Sequence, residues 1–247
     1  EEDMALINRL GFNNSGSEKV RSRIISNSPK GLFGINIGPN KDTNNRLEDY
    51  LICFRKFYNL ADYLTINISS PNTENLRNFH NEDELDELLS LINKEKKILK
   101  TTVPITVKIS PDIQDESINI ISDLLLKHNV EAVIISNTTD KNRENLSNIN
   151  KLEKGGLSGK PLEKRSNELI NKFYKILKNK IKIIGVGGVD SGQSAYQKII
   201  NGASLVQIYT GMIYQGPSIA TKISQELINI LEKEGIKNIS DIVGSKN

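Results

Sequence analysis

Short β-branched runs alternate with amphipathic stretches along most of the chain. Six runs read as strands: Phe33–Ile37, Tyr63–Ile68, Ile105–Ile109, Ala132–Ser136, Ile181–Val186 and Leu205–Tyr209. They are mostly continuous in apolar residues rather than alternating, as expected where both faces of a parallel sheet are covered. Between them the helical period predicts helices over about 44–59, 83–98, 114–128, 163–178, 191–200 and 217–234. The last has Ile219, Ile223, Leu227, Ile230 and Leu231 along one face, Pro217 near its start and Gly235 after its end. Ser191 is placed to cap the 191–200 helix, and Gly202 lies just past it. Regular β–α alternation predicts a parallel α/β fold. No linker or low-complexity stretch divides it, so residues 1–247 read as one domain.

Each predicted strand ends in a polar or glycine-rich tip. The tips are Asn36-Ile37-Gly38, Asn67-Ile68-Ser69-Ser70, Lys108-Ile109-Ser110, Ser136-Asn137-Thr138-Thr139, Gly185-Val186-Gly187-Gly188 and Tyr209-Thr210-Gly211. The second is the densest. Pro71 lacks an N–H and disfavours helix at Ser70, so the chain must leave the sheet there, with Asn67, Ser69, Ser70, Asn72 and Thr73 crowding one strand end. One such tip is an ordinary Asx or Ser turn. Six in succession predict a (β/α)8 barrel whose strand ends converge on a pocket.

Composition narrows the chemistry. At 247 residues the chain is close to the length of one such barrel. Its net charge of +3 comes from lysine-rich helices balanced by acids, and no basic stripe with interleaved aromatics suggests nucleic acid. Cys53 is the only cysteine, which excludes a disulfide framework and a thiolate metal site within the chain. The two histidines, His80 and His128, lack partners at ligand spacing, and His128 falls near a helix C-terminus. Metal catalysis and Ser-His chemistry are therefore disfavoured. No stretch approaches the length of apolar sequence that spans a bilayer.

Three segments suggest anion and cofactor chemistry. Gly185–Gly188 before Ser191-Gly192, and Tyr209-Thr210-Gly211, follow the last two strands, where barrels of this class hold phosphate. Lys108, between Val107 and Ile109, either points into the pocket, as a Schiff-base nucleophile or as a fixed cation facing a developing anion, or is a surface lysine whose stem snorkels to solvent. Lys154–Leu162 carries too many glycines for a helix and reads as a pocket lid or a backbone-contact loop.

Taken together, Asn8–Asn14, Asn67–Thr73 with Leu76-Arg77, Val107–Asp112, Ser136–Thr139, Gly155–Leu162 and Gly185–Gly216 resemble the dihydroorotate dehydrogenase family, in its class 2, quinone-dependent branch. Gly202–Thr210 is the most distinctive stretch, and the likeness covers nearly the whole chain. The resemblance implies a flavoprotein oxidoreductase of pyrimidine biosynthesis: dihydroorotate becomes orotate, FMN is the cofactor and a membrane quinone the acceptor. It implies Ser70 as the base that removes the C5 proton, with Phe12 and Thr73 beside the proton path. It implies contacts to orotate from Asn8, Arg9, Leu10, Gly11, Phe12, Asn67, Asn72, Asn137 and Thr138. It implies FMN contacts from Asn36, Asn67, Lys108, Ser136, Gly159, Gly188, Tyr209 and Thr210, with Lys108 by the flavin N1–C2 edge.

Serine at position 70 favours class 2, because class 1 uses cysteine as the base. Glu74-Asn75 departs from the family's usual Pro-Gly or similar pair. The family's barrel begins with two further strands, and class 2 members carry a membrane-associating segment upstream of those; the chain starts instead at Glu1, which reads as a cut end. Six of eight barrel strands are therefore expected here, with peripheral membrane contact (bacterial inner membrane or mitochondrial inner membrane) supplied by the segment upstream. Two rival readings stand beside this one: a phosphate-binding barrel of Schiff-base aldolase type using Lys108, and a catalytically silent fragment.

Overall fold

The structure, a computed structural model, describes residues 2–72 and 76–247. In chain order its elements are β1 (Ala5–Asn8), α1 (Ser17–Ser26), β2 (Gly34–Ile37), α2 (Arg46–Phe57), β3 (Tyr63–Asn67), α3 (Glu82–Ile98), β4 (Ile105–Ile109) and α4 (Glu116–Lys127). There follow β5 (Ala132–Ile135), β6 (Gly156–Gly159), α5 (Glu163–Leu177), β7 (Lys182–Val186), α6 (Gly192–Ile200), β8 (Leu205–Gln207), α7 (Thr210–Gln215) and α8 (Ile219–Lys233). The six expected strands are present, each trimmed by at most a few residues.

Those strands form one parallel sheet in the order β2-β3-β4-β5-β7-β8. Neighbours in sequence are neighbours in space, and each connection carries a helix, which is the arrangement of a (β/α)8 barrel. Among the described residues the sheet does not close: β2 and β8 are its edges.

The outer face packs on the helices. Leu64, Ile66, Val107, Ile109, Val133, Ile135 and Ile183 join Phe54, Leu88, Leu125 and Phe173 in one buried cluster. Each fully buried side chain of this size contributes about 1.5–3 kcal/mol relative to exposure. The inner face differs from the expectation of two apolar faces. Ala132, Ile134, Ile184 and Val186 make it apolar on β5 and β7. On β3 and β4 it is polar: Thr65 and Thr106 share a 2.8 Å hydroxyl hydrogen bond, and Asn67 sits level with Lys108. Continuous runs hid this because Thr is β-branched and Lys108 is flanked by apolar residues.

At the β2 edge Gly34 is needed for close approach. The Tyr63 ring lies over it, so that a Cβ would come within 2.1 Å of Cζ.

Two elements correct the expected organisation. The Lys154–Leu162 segment contains a strand, β6, paired antiparallel with β1 across the mouth of the sheet, followed by a one-turn 3-10 segment at Lys160–Leu162. Gly159 allows this, having φ of +99° and Met4 O 2.3 Å from where a Cβ would lie. Helix α1 was also unforeseen, since none of its residues is buried and no apolar stripe marks it. The capping readings hold: the Ser191 side chain accepts from Ser194 N at 3.2 Å, and the Gly202 N–H closes α6 on Ile199 O.

Candidate active site

At the C-terminal ends of the parallel strands lies a cavity of about 350 Å³, bordered by the antiparallel β1–β6 strand pair. Of the residues singled out above, Asn8, Leu10, Phe12, Asn137 and Thr138 line it, as do Lys108, Ser136, Gly159, Gly188, Tyr209 and Thr210. Residues from β1, β4, β6 and the tips after β5, β7 and β8 thus meet around one space.

Ser70, Asn67 and Asn72 stand behind that lining and connect to it by hydrogen bonds. Asn137 Nδ2 donates to Ser69 Oγ at 2.8 Å, and Ser69 Oγ donates to Asn67 Oδ1 at 2.6 Å. Asn72 Nδ2 donates to Asn8 O at 3.1 Å, and the Asn72 N–H donates to Ser70 Oγ at 3.2 Å. Ser70 is buried at 7% exposure. Tyr50, fully buried in α2, fixes the strand end by donating to Asn67 O at 2.6 Å. The tip is therefore a closed carboxamide–hydroxyl network rather than a solvated turn.

Three residues lie elsewhere. Arg9 faces outward, ion-paired to Glu153 at 3.0 Å. Gly11 is in an exposed turn with φ of +62°. Asn36 is on the edge strand β2, level with Thr65 and exposed. Thr73, together with Glu74 and Asn75, lies outside the described residues.

Lys108 carries the strongest electrostatic statement. Among the described residues its amine has no hydrogen-bond or ion-pair partner, and burial pulls its pKa below the ordinary lysine range. A cation held without a counter-ion at a cavity wall is set to meet an anionic group of a ligand. Thr210 Oγ1 donates to Ser158 Oγ at 2.8 Å, tying the tip after β8 to β6. Tyr214 OH donates to Ala5 O at 2.7 Å and pins β1, the other strand of that pair.

The phosphate reading is changed in one respect. The N-terminus of α6 is already filled, by Ser191 and Ser194 and by the Glu226 carboxylate, which accepts from Gly192 N at 2.6 Å. An anion at this end must rely on Gly187-Gly188 and on Thr210. Gly188 itself packs against the start of α5, where a Cβ would come within 2.4 Å of Glu163 Cβ. Ser158, Asp190 and Tyr214 also line the cavity and were not foreseen. Asp190 lies two residues past a recognised glycine tip, a signal that could have found it; Ser158 and Tyr214 depend on the unforeseen pairing of β1 with β6.

A model of the dihydroorotate dehydrogenase family matches residues 1–231. The chain belongs to that family. It is 47% identical over 92% of its length to the dihydroorotate dehydrogenase (quinone) of Idiomarina loihiensis, covering 69% of that protein. It is 41% identical over 98% of its length to the dihydroorotate dehydrogenase (quinone) of Bartonella tribocorum, covering 68%. Among solved structures, the ligand-free dihydroorotate dehydrogenase of Eimeria tenella superposes with a TM-score of 0.93 at 35% identity, covering all of this chain and 75% of that one. The same enzyme in complex with ferulenol gives 0.91 at 36% identity. The (β/α)8 family fold is thereby established, and the chain spans about two thirds of the length of its curated relatives. The reading as a Schiff-base aldolase is accordingly set aside.

Proposed function

We propose that residues 1–247 form the FMN-binding catalytic domain of a quinone-dependent dihydroorotate dehydrogenase, which oxidises dihydroorotate to orotate in pyrimidine biosynthesis. One observation carries the reading beyond family membership. The uncommitted Lys108 ammonium and the buried Ser70 tip belong to adjacent parallel strands, with Asn67 level with Lys108 in the ladder. That puts a cation for a reduced, anionic ring beside a hydroxyl for a proton.

The cavity fits FMN in its donor set: its lining combines a lysine with no partner among the described residues, a glycine pair, a threonine hydroxyl and carboxamides. When bound, FMN takes up the hydride lost from C6 of dihydroorotate and passes two electrons on to the quinone. With FMN bound, Lys108 would stabilise negative charge on the reduced flavin. Thr210, with the backbone of Gly187 and Gly188, would hold the phosphate, and Ser136, Gly159 and Tyr209, which line the same cavity, would hold the rest of the cofactor. Asn8, Asn67, Asn72, Asn137 and Thr138 orient the planar substrate, carboxamides offering donors and acceptors to an imide edge. Ser70 Oγ would accept the C5 proton while its own hydroxyl proton passes to water on the path beside Phe12, and the hydrogen bond from the Asn72 N–H would favour the oxygen as negative charge develops on it. The membrane contact of the whole protein is peripheral and comes from residues outside 1–247. No helix among the described residues is long and apolar enough to cross a membrane.

The test is anaerobic mixing of the flavin-loaded protein with dihydroorotate. Bleaching of the oxidised flavin with stoichiometric orotate, and recovery of colour on adding a quinone, are expected. In a chain long enough to close the sheet, a colourless preparation that cannot be reconstituted with FMN, or a flavin that dihydroorotate does not reduce, overturns the assignment.

A further inference from the structure

We propose that Arg77 is a positioning residue, and that its ion pair with Asp112 is a latch holding the Ser70 tip in register with the Asn137-Thr138 tip. The proposal rests on Ser70 being the base. Arg77 lies in the one-turn 3-10 segment Leu76–His80, seven residues beyond Ser70. Its guanidinium forks between two carboxylates, at 2.9 Å to Asp112 Oδ2 and 2.9 Å to Asp140 Oδ1. Asp112 belongs to the tip after β4, downstream of Lys108, and its side chain is only 5% exposed.

The other oxygen of the same carboxylate has a second duty. Asp112 Oδ1 accepts from Thr139 Oγ1 at 2.5 Å, and Oδ2 also accepts from Asp140 N at 3.4 Å. Thr139 directly follows Asn137 and Thr138, which line the cavity. One buried carboxylate therefore ties together the tips after β3, β4 and β5. A buried carboxylate is retained in charged form only where its oxygens are satisfied, and here burial raises its pKa while Thr139 and Arg77 pull it back.

The rest of the segment is anchored independently. Leu76 and Phe79 are buried, Phe79 meeting Tyr50 edge-on at 5.7 Å, and Ser110 N donates to His80 Nε2 at 3.3 Å. Removing the latch should therefore leave the segment in place while relaxing its register with the neighbouring tips. Small displacements of catalytic groups slow reactions by up to about 100-fold.

The experiment measures flavin reduction by dihydroorotate in the flavin-loaded protein and in four variants: Ser70→Ala, Arg77→Gln, Arg77→Lys and the double variant Ser70→Ala/Arg77→Gln. Arg77→Gln is expected to slow reduction roughly 10- to 100-fold with FMN content unchanged. Arg77→Lys, which can reach one carboxylate but cannot fork, should recover part of the rate. The double variant should be within about twofold of Ser70→Ala, because a residue acting through Ser70 has nothing left to position. Wild-type reduction in Arg77→Gln, or multiplying defects in the double variant, overturns the latch while leaving the base intact. An undiminished rate in Ser70→Ala overturns the base and the latch together. Should Arg77→Gln fail to fold, Thr139→Val, which frees the other oxygen of Asp112, takes its place against the same criterion of non-additivity with Ser70→Ala.

Discussion

Among the described residues, Ser70 sits in a network of neutral hydroxyl, carboxamide and backbone groups, with Lys108 on the adjacent strand. A serine hydroxyl is a poor base, and removal of a general base typically lowers the rate by about 10²–10⁴-fold. Ser70→Ala should therefore retain FMN and orotate while slowing flavin bleaching in stopped flow by that factor; an unchanged rate would sink the assignment. At the phosphate end the informative change is Thr210→Val, which keeps the shape of the buried side chain and removes its hydroxyl. Losing a hydrogen bond to a charged group costs about 1.5–3 kcal/mol. FMN affinity should fall at least roughly tenfold on titration of the apoprotein, and unaltered affinity removes Thr210 from the site. Substituting Gly188 is less decisive, since any side chain there strikes the first turn of α5 before it reaches a ligand. Much of this site was legible because polar residues at strand ends need a reason to be there. What was not legible were the second partners: Ser158 under Thr210, Tyr214 on Ala5 and Asp112 under Arg77, contacts that join residues far apart in sequence.

At the scale of elements, period and caps carried most of the information. The six helices that pack on the sheet were marked by apolar stripes of the right period, and α6 also by its cap. Helix α1 buries nothing and α7 has only six residues, so neither leaves a periodic trace. The β1–β6 pair was hidden for another reason: each strand has four residues, one is mostly small, and they meet across some 150 positions of chain. The segment Leu76–His80 is legible only as the sequel to the Ser70 tip, yet it contains a pH-sensitive anchor. Burial, reinforced by the Arg77 charge, pushes the His80 pKa down to about 4. The neutral ring accepts from Ser110 N and is hydrogen-bonded to the Arg77 backbone. Unfolded histidine titrates near 6.5. Since the folded pKa is the lower, the unfolded chain binds the extra proton between about 6.5 and 4, and stability is complete above that window and lost as pH falls through it. Urea midpoints of the flavin-loaded protein should fall across this range, and His80→Gln should flatten the fall. An equally steep acid limb in that variant shows that other groups produce it.

For the whole molecule, the decisive feature is the open sheet. A parallel barrel satisfies its backbone by closing, and an open one leaves unpaired N–H and C=O groups along both edges and exposes its inner wall. Here β2 and β8 are those edges. The residues around them show the consequence: Leu205 is 60% exposed and Leu32, just before β2, is 82% exposed. Asn36, on the inner side of β2, faces solvent for the same reason, although the family resemblance assigns it to FMN. The relatives are longer than this chain by about a third or somewhat more, which is room for strands that would lie between β8 and β2. An exposed apolar edge strand is a template for pairing with another copy. The 247-residue chain expressed by itself should therefore aggregate, or purify with little flavin absorbance, and should show no quinone-linked oxidation of dihydroorotate. A longer chain that supplies the closing strands should elute as a defined species, hold FMN and bring Asn36 into the cavity wall. Size-exclusion chromatography with simultaneous flavin absorbance reads both outcomes in one run. If the isolated chain elutes as a soluble, yellow, active monomer, the open edges are tolerated, and the inner wall must be covered by some rearrangement of β2 and β8 that the parallel register described above does not contain.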